Sequence, residues 1–217
     1  MWRIAVLLTG LTCFGLPAAA DGRYAGCTAE NAKIIYDAFG TAKNLTLKAS
    51  VAVGDTTDYQ RWFGDYSQAN AERVRASLKA VITALRGGAV TAQCHPAGAD
   101  GCNAGEFAWV FADEPYLMHL CPAFFNLPPL TALRPGDRRS DNGTREGTIV
   151  HEISHFLDVA ATEDHCYSRT ECSRMARDYP RRAIDNADSY QYFTEDVTYY
   201  ARQPLADKPP PAPRPNR

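Results

Sequence analysis

The chain has 217 residues, 45% of them hydrophobic and 22% charged, with a formal net charge of −2. That length suits one domain, or one domain with a tail, and the apolar fraction excludes a disordered chain. The balanced charge gives no electrostatic footprint for nucleic acid, so no such partner is expected.

Residues 1–20 read as a signal peptide. Arg3 is a short positive region, Ile4 to Leu16 form an uncharged apolar run, and Ala18-Ala19-Ala20 matches a small-residue cleavage site. The run is too short to span a bilayer. Export, to the medium or a periplasm, is therefore expected, with no membrane partner once the leader is cut and no large pro-segment. Of the seven cysteines, Cys13 lies in the leader; Cys27, Cys94, Cys102, Cys121, Cys166 and Cys172 remain. An even set in an exported chain implies a disulfide framework.

Residues 21–203 read as one domain. After Cys27, Ile34, Ile35, Ala38, Phe39, Ala42 and Leu45 recur at helical spacing. A second helix follows Ser67 as N-cap, with Val74, Leu78, Val81, Ile82 and Leu85 on one stripe and Gly87-Gly88 as its stop. Ala89–Cys94, Phe107–Phe111 and Tyr116–Cys121 are rich in β-formers and separated by turn residues, which predicts a small sheet. Tyr116–Cys121 is the expected edge strand, along which an extended substrate would lie. From Thr144 the pattern is helical again, over Glu146–Asp158. Helices, short strands and helices in that order predict an α+β domain. Residues 204–217 hold six of the prolines and are expected to be an extended, disordered tail.

His151-Glu152-Ile153-Ser154-His155 carries the chemistry. Residues i and i+4 share one helix face, so the two imidazoles can bind one Zn²⁺. Glu152 is then placed to take a proton from an activated water as it attacks a carbonyl. The third ligand stays open on spacing alone. Asp158 and Ala161 exclude the long form that needs glycine and histidine there. Glu171 and Glu195 are candidate carboxylates on later segments. Asp158 reads as a cap or an outer partner, since three ligands on one straight helix surround a tetrahedral ion poorly. Asp164 lies past the helix end, where the chain can fold back, and Cys166 is chemically possible although an oxidising compartment favours a disulfide for it.

These residues, with Ala161-Thr162-Glu163-Asp164-His165-Cys166-Tyr167, resemble the HExxH and GTxxDxxYG signature of aspzincins, the deuterolysin and peptidyl-lysine metalloendopeptidase family. Trp62-Phe63-Gly64, Cys121-Pro122-Ala123-Phe124-Phe125, Gly147-Thr148-Ile149-Val150 and Asn186-Ala187-Asp188-Ser189-Tyr190 extend the resemblance over most of residues 25–200. It implies a zincin-like fold, zinc held by His151, His155 and Asp164, Glu152 as general base and Tyr167 as oxyanion donor. Protein or peptide substrates are implied; a monomer is expected. It also implies the pairs Cys27–Cys94 and Cys102–Cys121, which leaves Cys166–Cys172. Ala161 and Ser168 depart from the pattern at its two glycines. Lysine-cutting relatives look as if they hold the lysine ammonium with two acids; Asp188 matches the first, but Gln191 stands at the second. A zinc-stabilised binding module that does not cleave is the competing expectation, against which Glu152 and Tyr167 both argue.

Overall fold

A computed structural model describes residues 22–133 and 141–200, the side chains of Tyr199 and Tyr200 excepted. The expected leader and the proline-rich tail lie outside the described residues.

Helix α1 (Ala29–Ala52) begins where Thr28 Oγ1 accepts the Asn31 N–H at 3.1 Å, and it buries Ile35, Ala38, Ala42, Leu45 and Ala49. It runs beyond the apolar stretch that announced it. Thr46 and Ser50 are buried there, their hydroxyls donating to the Ala42 and Leu47 carbonyls at 2.8 Å, so polar residues continue an apolar face. Helix α2 (Thr57–Phe63) has no counterpart in the periodicity, being about two turns long. Helix α3 (Gln68–Arg86) follows its pattern closely: Ser67 Oγ accepts from Asn70 N, and Val74, Leu78, Val81 and Ile82 are buried.

The sheet has four strands, β1 (Tyr24–Ala25), β2 (Thr91–Cys94), β3 (Ala108–Trp109) and β4 (Leu117–Leu120), in the order β1-β2-β4-β3. β1–β2 and β2–β4 are parallel, and β3–β4 is antiparallel with Trp109 opposite His119. The expected edge is thereby corrected. β4 lies inside the sheet, its Met118 and Leu120 fully buried, and β3 is the edge strand beside it, with β1 at the far edge. Strand order depends on long-range pairing that local pattern does not encode.

Helix α4 (Arg145–His155) crosses the domain on a buried face of Ile149, Val150 and Ile153, capped by Thr144, whose Oγ1 accepts the Gly147 N–H. It ends earlier than the expected Glu146–Asp158. Phe156 leaves helical ψ, and the Leu157 N–H donates to Ala112 O at 3.0 Å rather than to the helix. Asp158 is therefore off the helix and accepts the Tyr116 hydroxyl at 2.7 Å. Helices α5 (Arg169–Asp178), α6 (Pro180–Ile184) and α7 (Ala187–Glu195) complete the described domain. α7 packs along α4, and its Tyr190, Tyr192 and Phe193 interlock with Trp62 and Phe63 of α2 at centroid distances of 5.1–5.2 Å. This aromatic layer fixes α7 beneath α4. The disulfides are Cys27–Cys94, Cys102–Cys121 and Cys166–Cys172, as the resemblance implied. Among the described residues, no helix is long and apolar enough to cross a membrane. The architecture is α+β, as expected.

Candidate metal centre and active-site cleft

The i,i+4 spacing on α4 brings His151 and His155 together, Nε2 to Nε2 at 3.2 Å. The chain after α4 then turns back. The N–H groups of Val159, Ala160 and Ala161 all donate to Phe156 O, and Thr162 rejoins the helix through N–H to Ser154 O at 3.1 Å and hydroxyl to Ser154 Oγ at 2.6 Å. That return delivers Asp164, whose carboxylate oxygens lie 3.3 Å from His151 Nε2 and 3.5 Å from His155 Nε2. One ligand atom from each of the three residues falls within 4.8 Å of the others.

The far sides of both rings settle their tautomers. His155 Nδ1 donates to Thr162 O at 2.8 Å, and His151 Nδ1 donates to Asp188 Oδ1 at 2.8 Å. In the neutral rings each Nε2 is thus left as the lone pair facing Asp164, a donor set and orientation that suits a metal ion such as zinc. The residues fit the ion. The alternatives do not meet there. Glu195 Oε1 accepts from Thr144 N and Oγ1 at 2.8 Å, and Oε2 pairs with the buried Arg169 guanidinium. Glu171 lies in the first turn of α5 outside the group, and Cys166 is in its disulfide.

The loop bearing Asp164 is held from below. Glu163 forms a parallel bridge with Asn186, and buried Asn186 Oδ1 accepts the N–H groups of His165 and Cys166 at 2.8 and 3.1 Å. The two positions without the expected glycines both take left-handed backbone: Ala161 at φ 49° and Ser168 at φ 77°. The conformation persists without the residue that adopts it most easily.

A cleft of about 650 Å³ opens over this group, with the 105–110 segment as one wall and Glu152, Tyr167, Asp188 and Gln191 in its lining. Glu152 is 5% exposed. Burial pushes its carboxyl up, His151 pulls it down, and Asp164 and Asp188 push it up again, to about 7. Burial alone would lower His151, but the Asp188 hydrogen bond and the carboxylates of Glu152, Asp188 and Asp164 outweigh it and hold the ring at about 9. His155 is held below its ordinary value by burial and by His151. Tyr167 is 60% exposed at the cleft; partial burial, then the Asp164 charge, push its phenol up to about 12.

A model of the aspzincin M35 family, described as lysine-specific metallo-endopeptidase, matches residues 48–195. The chain belongs to the aspzincin family. An extracellular protease of Aeromonas hydrophila is 31% identical over 160 residues, covering 74% of this chain but 42% of the relative, so the chain spans less than half of that protein. A peptidyl-Lys metalloendopeptidase of Pleurotus ostreatus is 28% identical over 177 residues, 80% of this chain and 96% of the relative. Among solved structures, a zinc peptidase from Grifola frondosa superposes with a TM-score of 0.66 at 24% identity over 78% of this aspzincin and 97% of that chain; the likeness shows the fold.

The seven residues expected at the site all line this one cleft. Thr162 and Asn186 carry no signal of their own in the sequence, although both stand inside the aspzincin-like motifs, where Asp188 is expected as a substrate contact. Asp188 is 5% exposed and engaged by His151. Helix α7 carries no periodic sign of a partner on α4, so nothing local could have shown that contact.

Proposed function

We propose that this aspzincin is an exported, zinc-dependent endopeptidase. The observation that carries the reading is the convergence of His151 Nε2, His155 Nε2 and the Asp164 carboxylate within 4.8 Å, with buried Glu152 beside them in an open cleft. His151, His155 and Asp164 would hold the zinc, which supplies Lewis-acid polarisation of a carbonyl and a lowered water pKa.

The chain's own residues supply the remainder. Glu152, poised near neutrality, takes the proton of the attacking water and holds it until the leaving amine needs it. Tyr167 stays protonated across the working range, so its hydroxyl can donate to the developing oxyanion, a contribution of about 3–4 kcal/mol in comparable sites. Edge strand β3 positions the substrate. Phe107 O accepts from Cys121 N on the β4 side, so the alternate residue Ala108 turns its backbone toward the cleft and can pair with an extended peptide.

A preference for lysine on the carboxyl side of the cut rests on Asp188 with Gln191 beside it. Asp188 already accepts from His151, and Gln191 adds an amide where a second charge would sit, so the preference is expected to be shallow. Three disulfides and the leader motif support export, and protein or peptide chains are the expected partners.

The test is incubation of purified protein with a denatured protein mixture, with and without chelator, reading cut sites by mass spectrometry. The chelated protein should not cut, and Glu152→Gln should retain zinc without cutting. A Glu152→Gln variant as fast as the parent would overturn the mechanism.

A further inference from the structure

Tyr167 lines the cleft with an exposed ring, and among the described residues its N–H and carbonyl make no hydrogen bond to other backbone groups. Its place is therefore set by its neighbours. Upstream, Cys166 is fixed twice, by its N–H to buried Asn186 Oδ1 at 3.1 Å and by its disulfide to buried Cys172. Downstream, Ser168 turns at φ 77° and ψ 148°, and Arg169 opens α5. A backbone in that region persists only where its surroundings hold it.

Arg169 supplies the hold from the downstream side. Its N–H donates to Asp141 Oδ1 at 3.2 Å. Its guanidinium is buried: Nη1 donates to Asp196 Oδ1 at 2.8 Å, Nη2 donates to Glu195 Oε2, and the group lies 4.4 Å from the centroid of the Tyr192 ring. Both acids are themselves fixed. Asp196 Oδ2 accepts the Trp62 indole N–H at 3.0 Å, and Glu195 Oε1 accepts the N–H and the hydroxyl of Thr144 at 2.8 Å. The Tyr192 hydroxyl donates to Asp141 O, so the backbone and the side chain of Arg169 end on one connected unit. A planar fork between two fixed carboxylates has one orientation, which the point charge of a lysine cannot reproduce. Neither Glu195 nor Asp196 belongs to the metal group.

Resting on the peptidase reading above, we propose that Arg169 is a positioning residue for catalysis: locked to α7 and to Asp141, it holds the 166–169 link so that the Tyr167 hydroxyl meets the developing oxyanion. It acts through Tyr167 and not through the zinc ligands.

The test follows zinc-loaded protein on a fluorogenic peptide built around a site that the parent cuts in a denatured protein mixture. Arg169→Lys keeps the buried positive charge but loses the fork. Asp141→Ala removes the acceptor of the Arg169 N–H and leaves the guanidinium in place. Each should lower kcat about tenfold by misplacing Tyr167, with KM unchanged. Tyr167→Phe should lower kcat about a hundredfold. In a Tyr167→Phe background neither change should lower kcat further, since residues that act through one another do not add. Zinc affinity, from competition with a chromophoric chelator, should stay at the parent's value. A general loosening of the fold would instead weaken zinc binding and lower kcat by the same factor in both backgrounds, and that result overturns the proposal. So does a parent-like kcat in both variants, or a raised KM with kcat unchanged. If Arg169→Lys does not fold, Asp141→Ala decides alone. If the parent cuts and Tyr167→Phe cuts as fast, the oxyanion role and this proposal fall while the peptidase reading stands. If the parent cuts nothing, the peptidase reading falls and this one with it.

Discussion

Asp188 on α7 holds His151 on α4 through one contact, Oδ1 to Nδ1 at 2.8 Å, between residues 37 apart in sequence. The contact fixes the ring's tautomer and aims Nε2 at Asp164. A displaced α7 would turn a proposed ligand. Asp188→Asn keeps an oxygen that can accept the Nδ1–H but removes the charge, and should weaken zinc binding about tenfold. Asp188→Ala removes the acceptor and should approach a hundredfold loss. Competition with a chromophoric chelator measures both. Equal zinc affinity in parent and Asp188→Ala would show that the ring needs no such partner.

The same contact sets the pH response of the metal site. His151 has its pKa raised from 6.5 to about 9 in the folded protein. Its proton therefore stabilises the zinc-free fold fully below about pH 6.5, and that contribution is lost as pH rises through about 9. Zinc must displace the proton, so affinity should strengthen about tenfold per pH unit as pH rises toward about 9 and then level off. Calorimetric titration in buffers of different ionisation enthalpy should find close to one proton released from His151 at pH 7. Zinc binding without proton release there would contradict the assignment.

What the sequence made legible was local. His151 and His155 were readable because four residues make one helical turn, and α3 because its stripe and its Ser67 cap agree. α2 was not, since its few residues are too short to show a period, and its Trp62 acts through Tyr192 far along the chain. The end of α4 was misplaced because Phe156 and Leu157 continue the apolar period. A tertiary bond from Leu157 N to Ala112 O overrides it. The edge strand was misassigned for a similar reason, since β4 is the more apolar run and is therefore the buried one.

Ala161 and Ser168 hold left-handed backbone at φ 49° and 77° in the loop that delivers Asp164 and Tyr167. Ser168, with ψ 148°, lies in a region that side chains other than hydrogen rarely occupy. Its Oγ accepts the Glu171 N–H only at 3.4 Å, so little capping is lost with it. Ala161→Gly should stabilise by about 0.5–1 kcal/mol and Ser168→Gly by about 1–2 kcal/mol, after subtracting the entropy glycine adds to the unfolded chain. Thermal melts of the zinc-loaded protein decide it. A lower melting temperature in both would mean that the loop draws stability from these side chains.

Gln191 is 4% exposed, lines the cleft, and packs on two glycines: a Cβ at Gly143 would meet its Nε2 and one at Gly147 its Cγ. Glutamate has nearly the same shape, so Gln191→Glu should be accommodated there. It would set a second carboxylate near Asp188, with burial and the neighbouring Glu195 opposing its charge. Any net negative charge gained favours an ammonium over a neutral side chain, and a charge-assisted hydrogen bond is roughly twice as strong as a neutral one. Cut-site maps of a denatured protein mixture should show lysine after the cut in a minority of sites for the parent and about tenfold enriched for Gln191→Glu. Identical maps for the two would separate residue 191 from specificity altogether, and a parent already confined to lysine would assign that selectivity to Asp188 alone.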